Sequence, residues 1–236
     1  MKRRAGIESV RAISFDFGNT LVPLGRDALR AVVRRMTSEV ARRSGPFDEA
    51  EFGAAWAAER ERQFAEEVPR MREVDVAQRV VRVLARMRGM AAPSRAGRWD
   101  DVGAARLSTP DEVEAALADY SHAFVENAGW RPHLAAIVVS QRVGAIKPDP
   151  RMFAATEAAL GAEPGSILHV GDDWLADVVG AKRAGWRAAY LLGRPADSPL
   201  PTSEPNDEVQ PDLVLGRLGD LETALTPGVT TARAGG

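Results

Sequence analysis

The sequence predicts an α/β fold: a Rossmann-like core of parallel strands with an inserted α-helical cap. Three observations predict it. Short apolar runs alternate with short helical segments over the second half of the chain, which is the pattern of βαβ units on a parallel sheet. One isolated strand near the start is separated from those runs by a long stretch of helical periodicity. A length of 236 residues suits one core with a sizeable insertion. The core is expected over 1–24 and 128–225, the cap over 25–127, and a flexible tail over 226–236.

The first element is the run Ala12–Phe17, β-rich and closed by Gly18-Asn19, which reads as a buried strand ending in a turn. From Arg26 to Met87 the texture is helical. Val76, Val80, Val83, Leu84 and Met87 recur on one face, and Gly45-Pro46 and Val68-Pro69 divide the stretch into three helices. Residues 89–108 read as an irregular connection. Thr109-Pro110-Asp111-Glu112 has the form of a capping box, so a helix is expected to about Glu126. Strands are then expected at Ala136–Ser140, Ile167–Val170, Ala188–Leu192 and, at the edge, Leu213–Leu215. Helices are expected from Asp149-Pro150 to Gly161 and from Trp174 to Ala184.

Composition excludes several functions. The chain is 45% hydrophobic and 27% charged, enough to bury a core. Its 31 cations against 33 acids leave a net charge of −2, which argues against nucleic acid as partner. With no cysteine there is no disulfide, thiolate metal site or cysteine nucleophile. No apolar run reaches the ~18 residues of a membrane span, and the first residues lack the apolar stretch of a signal peptide. A soluble, cytoplasmic protein is expected, with no membrane partner; nothing in the sequence bears on its oligomeric state. The arginine-rich helical stretch reads mainly as a solvated face, with some pull on an anionic substrate.

Ligands of open α/β sheets bind at the carboxyl ends of the strands. Asp16 ends the first strand, Lys147 follows the expected strand at 136–140, and Asp172, Asp173 and Asp177 follow the next. Carboxylates converging with one lysine suit Mg²⁺ and a phosphoryl group, because Mg²⁺ takes hard oxygen ligands and lysine is a compact positive charge. Only Lys2, Lys147 and Lys182 are lysine in this arginine-rich chain, so a lysine at 147 points to a need for a point charge. Plainer uses exist for the same residues. Asp172 and Asp173 fit helix capping, Asp149 is a helix cap, and His169 fits a packed core position. Trp174 fits either a pocket wall or ordinary packing.

The segments FDFGNTL, VGAIKPDP and HVGDDWLADVVGAKRAG resemble motifs one, three and four of the haloacid dehalogenase-like (HAD) hydrolase superfamily. The helical insertion after the first strand is also similar to members of that superfamily. The likeness covers about residues 10–30 and 134–225. It implies Asp16 as a nucleophile that takes a phosphoryl group and is freed by water. Mg²⁺ is then held by Asp16, the backbone carbonyl of Gly18 and Asp172, with Asp177 or alternatively Asp173 holding metal-bound water or orienting Lys147. Thr20 hydrogen-bonds around the turn and Lys147 screens charge between nucleophile and substrate. Asn19 and Ser140 are candidate substrate-binding residues, and the substrate is a small phosphorylated or similarly anionic molecule.

Two departures qualify this expectation. Where the family's phosphatases carry a second aspartate as general acid and base, this chain has Gly18, and such a group is worth ~10²–10⁴-fold in rate. A catalytically impaired binding or regulatory protein, or a metal-independent 2-haloacid dehalogenase, is therefore an alternative. Phosphonatase chemistry is not, because no lysine lies between Arg3 and Ile146 to form a Schiff base. The second departure is the strand ending in a Ser or Thr (motif two) that normally lies beside the first strand. Between Glu126 and Ala136 there is no room for it, since a βαβ crossover takes ~10–12 residues. Ser140 standing in for it, a truncated and inactive core, or residues absent between about Val125 and Trp130 would each account for this. Without that strand, the sheet order the resemblance implies loses the neighbour of the strand that ends in Asp16.

Overall fold

The strands are short apolar runs, and one of the inner ones is covered on both faces. In the computed structural model β1 (Ala12–Phe15), β2 (Ile167–Gly171), β3 (Arg187–Leu191) and β4 (Leu213–Leu215) make one parallel sheet in the order β1-β2-β3-β4. The residues described are 7–91 and 129–226, apart from 28, 32, 36, 37, 39–46, 201 and 207. Contacts divide the chain into one unit of Met1–Arg26 with Lys147–Gly236 and a second of Asp27–Ile146.

In the first unit β2 is buried along its whole length. Leu168 and Val170 pack with Ala189, Leu191, Leu215 and Leu221 on one side. His169 points the other way, as period-two alternation requires, with its ring edge-on to Phe153 and Trp186. Phe153 belongs to α4 (Pro150–Leu160), which is capped by Asp149 at its start and ends at Gly161 with φ 60°. The segment Trp174–Val179 is a wide π turn that runs into α5 (Gly180–Arg183); α6 is Asp220–Leu225. A β-carbon on Gly180 would come within 2.7 Å of the Phe153 ring, so glycine sets how closely these elements pack.

Ser14 pairs with His169 in register, and β1 is an edge of the sheet among the described residues. Its Ile13 side chain is 37% exposed, a consequence of having a neighbour on one side only. The strand expected at Ala136–Ser140 does not form: residues 136–139 carry no ladder and Ser140 opens the short helix α3 (Ser140–Val143). Ile137, Val138 and Val139 have the residue preferences of a strand, but preference does not supply a pairing partner. This segment also falls in the second unit, which runs to Ile146, whereas the sequence placed 128–146 with the core.

The second unit is helical. Asp48 and Asp75 cap α1 (Glu49–Glu67) and α2 (Val76–Met87) by accepting from the backbone N–H of Glu51 and Gln78. Val68-Pro69 sits in a 3₁₀ turn between them, as a helix-breaking pair should. Val76, Val80, Val83 and Leu84 pack on Phe52, Ala55 and Trp56, with Met87 at the margin. The connection beyond residue 91, the capping box at 109–112, its helix and the tail beyond 226 lie outside the described residues. No described helix is long and apolar enough to cross a membrane.

Candidate active site at the sheet edge

β1 delivers Asp16 to the carboxyl edge of the sheet, where its N–H extends the ladder by donating to the Val170 carbonyl at 2.9 Å. The chain then turns tightly. Asn19 adopts φ 60°, a left-handed conformation that asparagine tolerates better than most residues, and its N–H donates to the Val22 carbonyl at 2.7 Å. Its side-chain oxygen accepts from Leu24 N–H and its amide donates to Ser198 Oγ. Asn19, a candidate for substrate binding, is thus built into the turn by both ends of its side chain.

Lys147 Nζ lies 2.8 Å from Asp16 Oδ1, 2.5 Å from Asp177 Oδ1 and 3.2 Å from His169 Nε2. Oxygens of Asp16, Asp172 and Asp177 all fall within 4.8 Å of one another. Asp177 reaches this point from the π turn because residue 171 is glycine: a β-carbon there would sit 2.1 Å from the Asp177 carboxyl. Its second oxygen accepts from Asp173 N–H at 2.9 Å. Of the two residues proposed as alternatives, Asp177 joins the cluster, while Asp173 caps the π turn through Ala176 N–H and accepts from Ser203. Thr20 Oγ1 donates to Asp172 Oδ1 at 3.2 Å, tying the first motif to the fourth rather than closing its own turn. Ser140 lies in the other unit, where its hydroxyl is bonded to Glu73.

The charges disturb one another strongly. Burial, and then the repulsion of Asp16 and Asp177, push the Asp172 carboxyl up to about 6. Burial raises Asp16 as well, with Lys147 opposing it. Burial acts on Asp177 in the same sense, but the Lys147 ammonium and the His169 hydrogen bond outweigh it and hold the group well below the usual carboxylate range. Lys147 loses by burial and gains more from Asp177 and Asp16, so it stays above the ordinary lysine value. Groups perturbed by burial and by named charges at a sheet edge are the mark of a functional site.

Two residues of the site were missed from sequence. His169 was expected as core packing, and it does pack; but with its proton on Nε2 it donates to Asp177 Oδ1 at 3.0 Å while Nδ1 accepts from Ser14 Oγ at 3.0 Å. Its even-numbered separation from Gly171 on a strand, which puts both on one face, was the available signal. Arg194, beyond β3, sends Nη1 to Asp172 Oδ2 at 3.3 Å, and nothing in its local sequence announces that contact.

Comparison with known proteins agrees with this geometry. A family model described as haloacid dehalogenase-like hydrolase matches residues 10–185, and the chain belongs to that family. The phosphoserine phosphatase of Thermus thermophilus is 39% identical over 94 residues, covering 40% of this chain and 34% of that protein. The glyceraldehyde 3-phosphate phosphatase of Methanopyrus kandleri is 33% identical over 87 residues, covering 36% and 35%. The chain thus spans about a third of the length of the curated relatives it matches. Among solved structures, a 2-haloacid dehalogenase from Pseudomonas syringae shares the fold, with a TM-score of 0.56 and 19% identity over 92% of this chain and 98% of its own.

Proposed function

We propose that this hydrolase removes the phosphoryl group of a small phosphorylated substrate, with Mg²⁺ as cofactor and Asp16 as nucleophile. The observation that carries this reading is the convergence of three carboxylates on one lysine at the end of β1 and β2. Asp16, Asp172 and the Gly18 carbonyl are the proposed metal ligands, with Asp177 in support. An all-oxygen donor set of this kind fits a hard divalent cation, and the carboxylates exceed what Lys147 alone neutralises. Bound there, Mg²⁺ supplies positive charge to the phosphoryl oxygens and to the nucleophile.

The chain's own residues do the rest. Asp16 attacks phosphorus through a carboxylate oxygen, the substrate oxygen leaves with its bonding pair, and water then cleaves the aspartyl-phosphate to return the carboxylate. Lys147 holds Asp16 in place and offsets charge between nucleophile and substrate. Asp177, with His169 behind it, orients Lys147. Thr20 fixes Asp172. Gly18 offers no proton, so departure of the leaving group and attack by water both proceed without a general acid or base at that position, and turnover is slow.

A second reading, a 2-haloacid dehalogenase, is favoured by Gly18, since that chemistry dispenses with the second aspartate. The surplus of carboxylates favours the metal-dependent reading. Hydrolysis of an aryl phosphate with and without Mg²⁺, in wild type and Asp16→Asn, tests both. Mg²⁺-dependent hydrolysis abolished by the substitution is the expected result. Equal activity in the two proteins removes Asp16 as nucleophile, and metal-free halide release from a 2-haloacid supports the dehalogenase. Inactivity on a broad metabolite panel supports a binding protein that has kept the fold.

A further inference from the structure

The segment that follows β3 is fastened across the site by contacts to both of its main motifs. Ser198 Oγ accepts from Asn19 at 3.0 Å, and Asp197 accepts from Arg26 N–H at 3.0 Å. Ser203 donates its N–H and its hydroxyl to Asp173, both at 2.9 Å, and accepts from Leu175 N–H at 2.6 Å. Between these ties Leu200 comes down on the turn of the first motif. A β-carbon on Gly18 would meet Leu200 Cδ1 at 3.0 Å and Leu24 Cδ1 at 3.1 Å. The space where a side chain at position 18 would begin is narrowed by two leucine methyls, one of them from the strap.

Arg194 starts this strap, and its guanidinium has two tasks. Nη2 donates to the Leu200 carbonyl and lies near Ser198 Oγ, which holds the strap in shape. Nη1 points at Asp172 Oδ2 at 3.3 Å, long for a charged pair. The other oxygen of Asp172 accepts from Thr20. Each oxygen of a proposed metal ligand therefore accepts a hydrogen bond from the protein, one of them from a cation of its own. The three carboxylates face Lys147 and Arg194, and a divalent ion placed among them adds charge beside a guanidinium already there.

We infer that Arg194 is an internal counter-cation that competes with the divalent metal for Asp172, and that the strap carrying it gates metal entry. The inference rests on the metal-dependent reading of the site. Loading sets the charge of the ion against that of the guanidinium; because Nη2 stays on the Leu200 carbonyl, the arginine moves away with the strap rather than leaving it unfolded. In the unloaded protein Arg194 keeps Asp172 from facing Asp16 and Asp177 without a partner.

Mg²⁺ binding to the full chain, followed by titration calorimetry without substrate, tests this. Arg194→Gln is expected to bind Mg²⁺ at least tenfold more tightly than wild type, and Arg194→Lys, which keeps the charge but not the fork, to fall between them. Ser203→Ala removes the two hydroxyl ties at the far end of the strap, keeps its N–H bond to Asp173 and does not touch Asp172, and is expected to raise the association rate at least threefold in stopped-flow measurements of tryptophan fluorescence. A measurable Mg²⁺ affinity that is equal or weaker in Arg194→Gln overturns the competition and leaves the metal site standing. An unaltered association rate in Ser203→Ala overturns the gate. Absence of Mg²⁺ binding in wild type and every variant overturns the metal-dependent reading, and this inference with it.

Discussion

Each unit of the molecule encloses a cation, Arg79 fully and Lys147 in part, and the two are treated differently. In the helical unit Arg79 is 1% exposed; its Nε donates to Gln63 Oε1 at 2.8 Å and its guanidinium lies 4.9 Å from the centre of the Trp56 ring. That amide is neutral and donates to the backbone carbonyl of Asp75, and the Glu73 carboxylate is close enough to feel the Arg79 charge. In the sheet unit Lys147 faces Asp16, Asp177 and His169, with Asp172 close by. A buried charge is thus not in itself a functional signal. Arg79 lies among groups that suit a resident cation: a polar amide, a ring face and one carboxylate, Glu73, within electrostatic reach. Lys147 sits among more carboxylates than it can neutralise, and such an excess is costly unless something else binds.

Substitutions separate the two cases. Lys147→Ala is expected to have the largest effect, lowering phosphatase turnover about 10²–10³-fold through loss of charge at the nucleophile. It also leaves Asp177 buried without its cation, which costs about 3–5 kcal/mol of stability. Steady-state kinetics and urea unfolding measure the two losses, and normal turnover in a folded variant would remove Lys147 from the mechanism. Arg79→Ala is expected to lower stability by about 2–4 kcal/mol through the lost hydrogen bond and ring contact. It should leave Mg²⁺ affinity of the folded protein unchanged; a large change in affinity would break the distinction between the two cations.

A smaller effect is expected from pH. The Asp172 carboxyl, raised to about 6, binds its proton more tightly in the folded chain than in the unfolded one. That contribution is complete below about pH 4 and is lost as pH rises through 6. Asp16 is shifted in the same sense, whereas the depressed Asp177 contributes stability that is fully present above the ordinary carboxylate range and is lost only as pH falls below it. Metal-free protein is therefore expected to lose about 1–3 kcal/mol between pH 4 and pH 7 from Asp172, and Asp172→Asn to flatten that slope. Thermal unfolding in chelator across this range checks it, and identical slopes would show that Asp172 does not titrate there. The smallest effect belongs to the surface: Arg62→Ala, which breaks pairs with Glu59 and Glu66 on α1, should cost no more than about 1 kcal/mol in urea unfolding.

Most of the sheet and the acidic cluster could be read from the sequence because their determinants are local. Asp16 and Asp172 follow directly on strands, Asp149 and Gly161 bracket α4 with cap chemistry, and Lys147 is distinguished by the scarcity of lysine. Lys182 is accounted for by Asp212, to which it donates at 2.9 Å. The segment 136–139 misled because a β-branched run says nothing of whether a neighbour exists. His169 and Arg194 were not read as site residues because their roles depend on distant partners: the first on the register of β2 against β1, the second on a strap returning from β3. The choice of Asp177 over Asp173 also needed three dimensions, since Gly171 makes the space that lets the later residue in.

Transfer of a phosphoryl group to Asp16 is the event on which the account turns. Because Gly18 cannot assist the water that would remove it, the acyl phosphate should persist long enough to be trapped. Acid quench after incubation with acetyl phosphate and Mg²⁺, followed by peptide mass spectrometry, reads this directly. The account predicts a phosphoryl group on Asp16 that requires Mg²⁺ and is absent from Asp16→Asn. A phosphoryl group on another residue, or an unmodified Asp16 in protein shown to bind Mg²⁺, would contradict it.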